Sequence, residues 1–495
     1  MENGIKKNEI ISALTKSPHG ALKEYAPIGR RAAAEEPEFL QHLIAYNQIK
    51  GQIRDSKVAL PVIALSGGHM DPEFVSNSLA HVAMLDPRNL VRAYRFFLEL
   101  RDPKNQSGRH SAFRRVLAGY LRQRESVWPK WERMAVQHRS TVKELYALCH
   151  IKPSPMADAI LFKGERPKGS VFEAIANLKN MSNTEAAGTI MERRIPFLIA
   201  MGALGAKAKE VDLVLALIER MSPTELVTNS KMLERLGIKT NPALRAAYEQ
   251  ALGRAATSKK STFKTTRAVE ALVEQDEDSP IADKLRSLQE KQIQSLGGVD
   301  GNWLVLADKS GSMAHAIEIS RQVAATLARV VKGNVYLVFF DVSPRFVDVT
   351  GKTYEQIVAE TKHVTAGGGT SIGCGLLAIT EKKLEVDGIA IISDGEENQH
   401  PMFPHVYKAY SESIGKEVPV YFYRTVGGMN VLTRNMATAG IDMQEFDLTG
   451  GTDYHALGNV ITTMRTNRYS LAQEILDTPL WKLEDVLPAM DKVYA

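Results

Sequence analysis

The sequence predicts a two-part chain: an α-helical repeat array, then an α/β domain built on a mostly parallel sheet. Three observations carry that prediction. Up to about residue 250, apolar residues recur at spacings of three and four, as in amphipathic helices. From Trp303 onward, short strand-like runs alternate with helical ones. The charge also changes sign. Residues 1–300 hold 45 Lys and Arg against 34 Asp and Glu, and the remainder holds 17 against 23. A basic first part suits a polyanion and an acidic second part suits a cation, although two solvated surfaces would give the same count.

The helical periodicity is clear in Phe39–Ile49, Phe74–Met84, Leu90–Leu100 and Val211–Met221. Prolines punctuate it at Asp86-Pro87, Asp102-Pro103, Lys152-Pro153-Ser154-Pro155 and Ser222-Pro223. Proline lacks the N–H a helix interior needs and restricts the residue before it. Many helices without strand alternation imply stacked helical pairs, a solenoid-like array. No fixed-period sequence repeat accompanies them, so the repeat is structural. Residues 253–300 change character. Ser258–Thr262 is polar, Glu274–Pro280 is an acidic run, and Gly297-Gly298 precedes the next domain, which reads as loop and connecting helix.

Beyond that connection, strands are expected at 303–307, 335–340, 388–393 and 418–424. Helices are expected at 313–332, 353–361, 372–383, 403–415, 429–438 and 453–465. In such sheets ligands bind beyond the carboxyl ends of the strands. A chain of 495 residues exceeds one ordinary core. Two cysteines far apart, Cys149 and Cys374, make no disulfide framework and suit a reducing compartment. The N-terminal Met-Glu-Asn-Gly-Ile-Lys-Lys lacks a signal-peptide core, and no apolar run is long enough to span a bilayer. A cytoplasmic protein with no membrane partner is expected.

The first strand of the α/β part empties into Asp308-Lys309-Ser310-Gly311-Ser312. One carboxylate and two hydroxyls at alternate positions suit a hard cation such as Mg²⁺, which prefers oxygen ligands. Gly367-Gly368-Gly369-Thr370-Ser371 adds a hydroxyl at a helix start, and Ile391-Ile392-Ser393-Asp394 ends a second strand in a carboxylate. The glycine loop lacks the lysine of a phosphate loop, and no nucleophile–base arrangement stands out, so no enzyme is expected. Glu396 and Glu397, beside Asp394, have two readings, a place near the cation and, preferred, a solvated loop.

Basic residues peak in 101–150, with 11 Lys and Arg against 4 Asp and Glu. Arg109, Arg114, Arg115, Arg122 and Arg124 lie on or beside a helix expected at Ser111–Gln123, with Phe113, Tyr120, Trp128 and Trp131 interleaved. Arginine suits phosphate, and exposed aromatics would suit unpaired bases. A helix also needs a buried stripe, which Phe113, Val116, Leu117 and Tyr120 would form.

Asp308, Ser310, Ser312, Thr370 and Asp394 together resemble the metal-ion-dependent adhesion site of von Willebrand factor A domains. That resemblance implies Mg²⁺ or another divalent cation, with an open position for an acidic group from a partner. In the first half, Ser107-Gly108-Arg109-His110 with Phe113–Tyr120 resembles the glycine-basic segment of the TROVE domain. Ser140–Ser154, with His150-Ile151-Lys152-Pro153 at its end, resembles that family's second signature, with Cys149 where the family has serine. A TROVE domain followed by an A domain is the architecture of the Ro autoantigen family.

The resemblance implies a HEAT-like, ring-shaped helical domain over 1–296 and a Rossmann-like von Willebrand A domain over 297–466. The tail over 467–495 carries Leu471, Ile475, Leu480, Trp481, Leu483 and Val486, enough apolar surface to predict that it docks back on the chain. The resemblance also implies RNA binding in a ribonucleoprotein particle, with a small noncoding Y-like RNA and single-stranded 3′ ends of misfolded RNA as ligands, in RNA quality control. By position, it assigns RNA contact to Arg109, Arg114, Arg115, Arg133, Arg139, His150 and Lys152. Its expected protein partners are a nuclease, an RNA ligase or another protein offering an acidic group to the metal. The alternatives are a metal-dependent protein-interaction scaffold and, less favoured, a metal-dependent hydrolase.

Overall fold

The structure, a computed structural model, describes residues 7–14, 21–51, 53–66, 71–100, 107–255, 284–285, 288, 298–425, 430–447 and 468–487. The polar and acidic stretch within 258–280, the expected helix at 453–465 and the Asp102-Pro103 stop lie outside the described residues. Packing groups the chain into two compact units, each made of separate stretches. One joins Met1–Leu60 to Ile293–Pro479, and the other joins Pro61–Gln292 to Leu480–Ala495. The partition read from the sequence at 296 differs, because the first sixty residues pack with the sheet-bearing stretch. Helix Lys7–Ile11 lies against a strand of that sheet with Ile10 and Ile11 buried.

The helical unit follows the sequence periodicity closely. Helices Pro72–Ala83, Pro87–Leu100, Ser107–Glu125, Trp128–Gln137 and Arg139–Cys149 succeed one another along the chain. Prolines that read as stops also start helices: Pro87, Pro155 and Pro223 occupy first turns, as does Pro72, where their missing N–H is no loss. Side chains satisfy the N–H groups exposed there. Asp71 Oδ1 accepts from the Glu73 N–H at 3.0 Å, and Asp86 Oδ1 accepts from those of Arg88 and Asn89 at 3.0 and 3.1 Å. Ser182 with Glu185, and Ser222 with Glu225, form reciprocal capping boxes. One core of this unit runs from Leu178 through Phe197, Leu217 and Leu233 to Tyr248.

The other unit is built on six strands: β1 Trp303–Asp308, β2 Val335–Phe340, β3 Pro344–Asp348, β4 Gly388–Ser393, β5 Val420–Arg424 and β6 Met443–Asp447. Their order is β3-β2-β1-β4-β5-β6, parallel except for β3. β1, β2 and β4 are buried along their whole length, which is why they read as continuous apolar runs. The sequence did not signal β3 and β6, which form the two edges. β3 begins with a proline and is largely exposed, and β6 carries Gln444, Glu445 and Asp447. Short polar edge strands resist unwanted pairing and give no buried-strand pattern. Helices Ala314–Val330, Tyr354–Thr361, Ile372–Glu381, Phe403–Ile414 and Val431–Thr438 fall where the sequence predicts them. Among the described residues, no helix is long and apolar enough to cross a membrane.

Candidate functional site

The chain runs outward from β1 to β2 and β3, then returns to β4 on the other side of β1. The reversal point lies between β1 and β4, where a parallel sheet opens a crevice at its carboxyl end. Asp308 ends β1 and Ser393-Asp394 ends β4 at that crevice. Ser393 Oγ donates to Asp308 Oδ2 at 2.5 Å, and the Ser310 N–H donates to Asp308 Oδ1 at 2.8 Å. The glycine loop closes over them: the Gly311 N–H donates to the Gly368 carbonyl at 3.3 Å, and the Gly367 N–H to the Lys309 carbonyl at 2.8 Å. The β4 loop brackets Thr370 in turn. Asn398 Oδ1 accepts from the Thr370 N–H at 3.0 Å, and the Thr370 carbonyl accepts from the N–H groups of Asn398 and Gln399 at 3.0 and 2.9 Å. The loops carrying Asp308, Ser310, Ser312, Thr370 and Asp394 are thus tied to one another. Ser312 is exposed, and the other four are buried.

Burial pushes the Asp308 carboxyl above its ordinary range. The hydrogen bonds from Ser310 and Ser393 pull it down, and the neighbouring Asp394 charge adds to the rise. Neither carboxylate forms an ion pair among the described residues, and Lys309 is engaged by Asp341 instead. Burial raises the Asp341 carboxyl, but that lysine and Ser343 more than offset it and leave it below its usual range. Two buried carboxylates among hydroxyls, with no nitrogen or sulfur donors, form a set that fits a hard divalent cation.

Sequence reasoning missed the residues that hold this set in place. Ser393 fixes Asp308, and Asn398 fixes Thr370. Glu397, expected in a solvated loop, is buried. Its Oε1 accepts from the N–H groups of Ile372, Gly373 and Phe403 at 3.0, 3.1 and 2.8 Å. It therefore joins the starts of helices Ile372–Glu381 and Phe403–Ile414. The serine ending β4 beside Asp394 is the one signal that pointed to any of these. The others act through backbone groups, which no side-chain pattern reports.

On the helical unit, Arg109 belongs to helix Ser107–Glu125, and its side chain lies outside the described residues. Arg114 is half-buried and donates to the Cys149 carbonyl at 3.1 Å. That carbonyl belongs to the last turn of helix Arg139–Cys149, and His150 follows it in the left-handed region at φ 52°. Arg115, Arg133, Arg139, His150 and Lys152 are exposed. Arg139 also donates to the Ile160 carbonyl at 2.7 Å. Helix Ser107–Glu125 thus brings Arg114 against the end of the helix that carries His150, while Arg133 belongs to helix Trp128–Gln137. There Arg133 contributes, with Arg194, to the field that lowers the Arg220 pKa beyond the effect of burial. The aromatics expected to be available for stacking are mostly core. Phe113, Tyr120 and Trp131 are buried, and Trp128 stacks on Trp131 at 4.6 Å between ring centroids.

The chain therefore has the fold of Ro proteins, a helical region with a six-stranded α/β sheet. Among the solved structures it resembles is that of the Ro (RSR) protein of Deinococcus radiodurans, with a TM-score of 0.62 and 12% sequence identity, covering 93% of this chain and 99% of that one. At that identity the likeness is one of fold. No family model matches the chain, and no curated protein matches it by sequence.

Proposed function

We propose that the protein binds RNA and does not turn it over, as the RNA-binding component of a ribonucleoprotein particle. Its ligands are a small noncoding RNA of the Y class and single-stranded ends of structured or misfolded RNA, the ligands implied by resemblance to the Ro family. The observation that carries the reading is the exposed basic group Arg115, His150 and Lys152, at the family's motif positions, with exposed Arg139 in the stretch between the two segments, in a chain with the Ro fold. Binding of this kind is mainly phosphate neutralisation, with selection by shape and free strands.

In this reading Asp308, Ser310, Ser312, Thr370 and Asp394 hold Mg²⁺ or a similar ion. When bound, that ion supplies a Lewis-acidic position for a carboxylate offered by a protein partner, such as a nuclease or an RNA ligase. The buried carboxylates of Asp308 and Asp394, which form no ion pair among the described residues, support that assignment.

The direct test changes Arg115, His150 and Lys152 to alanine together. Arg114 is spared, because its guanidinium also holds the Cys149 carbonyl. Filter binding to a structured RNA with a single-stranded 3′ end should weaken at least tenfold at low salt, with a shallower salt dependence. Wild-type affinity in the triple variant would remove these residues from the interface. A wild-type protein that binds no RNA at low salt would instead favour the protein-interaction scaffold.

A further inference from the structure

Among the described residues, the helical unit exposes an aromatic ring that the fold does not need. Helix Pro155–Asp158 continues into a π-helical turn over Ala159–Lys163, closed by Gly164 at φ 74°. That turn buries Ile160 and Leu161 completely and leaves Phe162 47% exposed. A wide turn of this type is uncommon and recurs at functional sites. Here its effect is to separate two core residues from an outward phenyl ring. The Arg139 guanidinium holds the turn through the Ile160 carbonyl at 2.7 Å, and Lys143 Nζ lies 5.5 Å from the Phe162 ring centroid. The next residue, Lys163, is exposed and pairs with Asp158 at 3.3 Å.

The helix beside this ring lines up its cations. At about 100° per residue, Lys143 falls about 40° around the helix from Arg139, so the two share a face. Over residues 139–168 the chain carries Arg139, Lys143, Lys152, Lys163, Arg166 and Lys168 against Glu144, Asp158 and Glu165. Of these acids, Glu144 is already paired with Arg95 and Asp158 with Lys163. A single exposed phenyl ring is ordinary on a protein surface. One held on a fixed turn, with an ammonium beside its face and a row of cations next to it, has the features of a base-stacking surface on single-stranded nucleic acid.

We propose that Phe162 is a stacking platform for an unpaired RNA base, and that Lys143, Lys163 and the remaining donors of Arg139 take the flanking phosphates. The site rests on the RNA-binding reading above and gives it a base-contacting residue that the basic motif lacks.

The test compares the full-length protein with Phe162→Ala and Phe162→Trp. Fluorescence anisotropy would follow binding of a single-stranded oligouridylate and of a ribose-phosphate strand of equal length without bases. Phe162→Ala should weaken oligouridylate binding roughly 5- to 150-fold, the range of one lost base stack. It should leave the abasic strand within about twofold, and Phe162→Trp should restore affinity. Circular dichroism checks that the exposed substitution leaves the fold intact. An unchanged oligouridylate affinity in Phe162→Ala, or an equal loss on both strands, overturns the platform while RNA binding stands. A wild-type protein that binds neither strand at low salt overturns the RNA-binding reading itself.

Discussion

At the residue scale, Glu397 is the group whose chemistry departs furthest from its sequence appearance. Burial raises its carboxyl to about 7, while the N–H groups of Phe403, Gly373 and Ile372 pull it down only in part. A carboxyl whose pKa rises on folding holds its proton more tightly in the folded state. Stability therefore falls as pH climbs from the ordinary glutamate range through about 7, and the loss is complete above that. Glu397→Gln keeps an acceptor for the three N–H groups and removes the titration. In urea unfolding with divalent ions chelated, this variant should gain on wild type as pH rises from 5 to 8, by up to about 3 kcal/mol. A gap that narrows over that range would contradict the assignment. Asp308 and Asp394 were legible because a strand emptying into a carboxylate is a side-chain pattern. Glu397 and Asn398 were not, because their partners are peptide groups brought in from residues 370–373 and 403. Phe162 escaped notice for a related reason. A helical wheel assumes 3.6 residues per turn, and the π-helical turn breaks that count where the ring emerges.

At the element scale, helix Ile372–Glu381 is pressed against the loop that follows β4. A Cβ at Gly373 would lie 2.3 Å from the Pro401 carbonyl oxygen, and one at Gly369 would lie 2.9 Å from Gln399 Cγ. The same loop brackets Thr370, so its spacing from the helix is also the spacing of the candidate cation site. Gly373→Ala should cost about 1–3 kcal/mol through overpacking. It should also weaken Mn²⁺ or Mg²⁺ binding in calorimetry, which Asp308→Ala should abolish. Gly188 provides the contrast. It is exposed inside helix Asn183–Glu192, and nothing would lie within 4 Å of its Cβ. Gly188→Ala should stabilise the protein by about 0.5–1 kcal/mol and leave ion binding alone. Ion binding that is equal in wild type and Gly373→Ala would separate the glycine contact from the site. The elements themselves were legible wherever burial was two-sided, as in β1, β2 and β4. β3 and β6 were hidden because an edge strand is under pressure to look polar.

At the scale of the whole molecule, the C-terminal tail divides its contacts between the two units. Helix Arg468–Leu476 packs on helix Pro37–Lys50 with Leu471 and Ile475 buried. Lys50 pairs with Glu474 there, and the Thr478 carbonyl is 2.8 Å from His42 Nδ1, which donates to it. From Leu480 the chain belongs to the helical unit. Helix Leu483–Val486 lies on helix Pro72–Ala83, the Leu483 N–H donates to Ser76 Oγ at 3.3 Å, and the Trp481 ring sits 5.4 Å from that of His81. Burial there lowers the His81 pKa to about 4 and keeps the ring neutral. Two truncations should consequently behave differently. A chain ending at Pro479 should lose amide protection in Pro72–Ala83 and keep it in Pro37–Lys50. Its His81 should titrate closer to the ordinary histidine range as water reaches the ring. A chain ending at 467 should lose protection in both helices. The cost of the shorter cut should be about 1–3 kcal/mol, the scale of uncovering one large apolar side chain and a hydrogen bond. Hydrogen exchange read by mass spectrometry, with His81 followed by NMR, resolves the two cases. If both cuts unprotected the same helices, the tail would act as one piece, and the division of its contacts at Leu480 would have no energetic meaning.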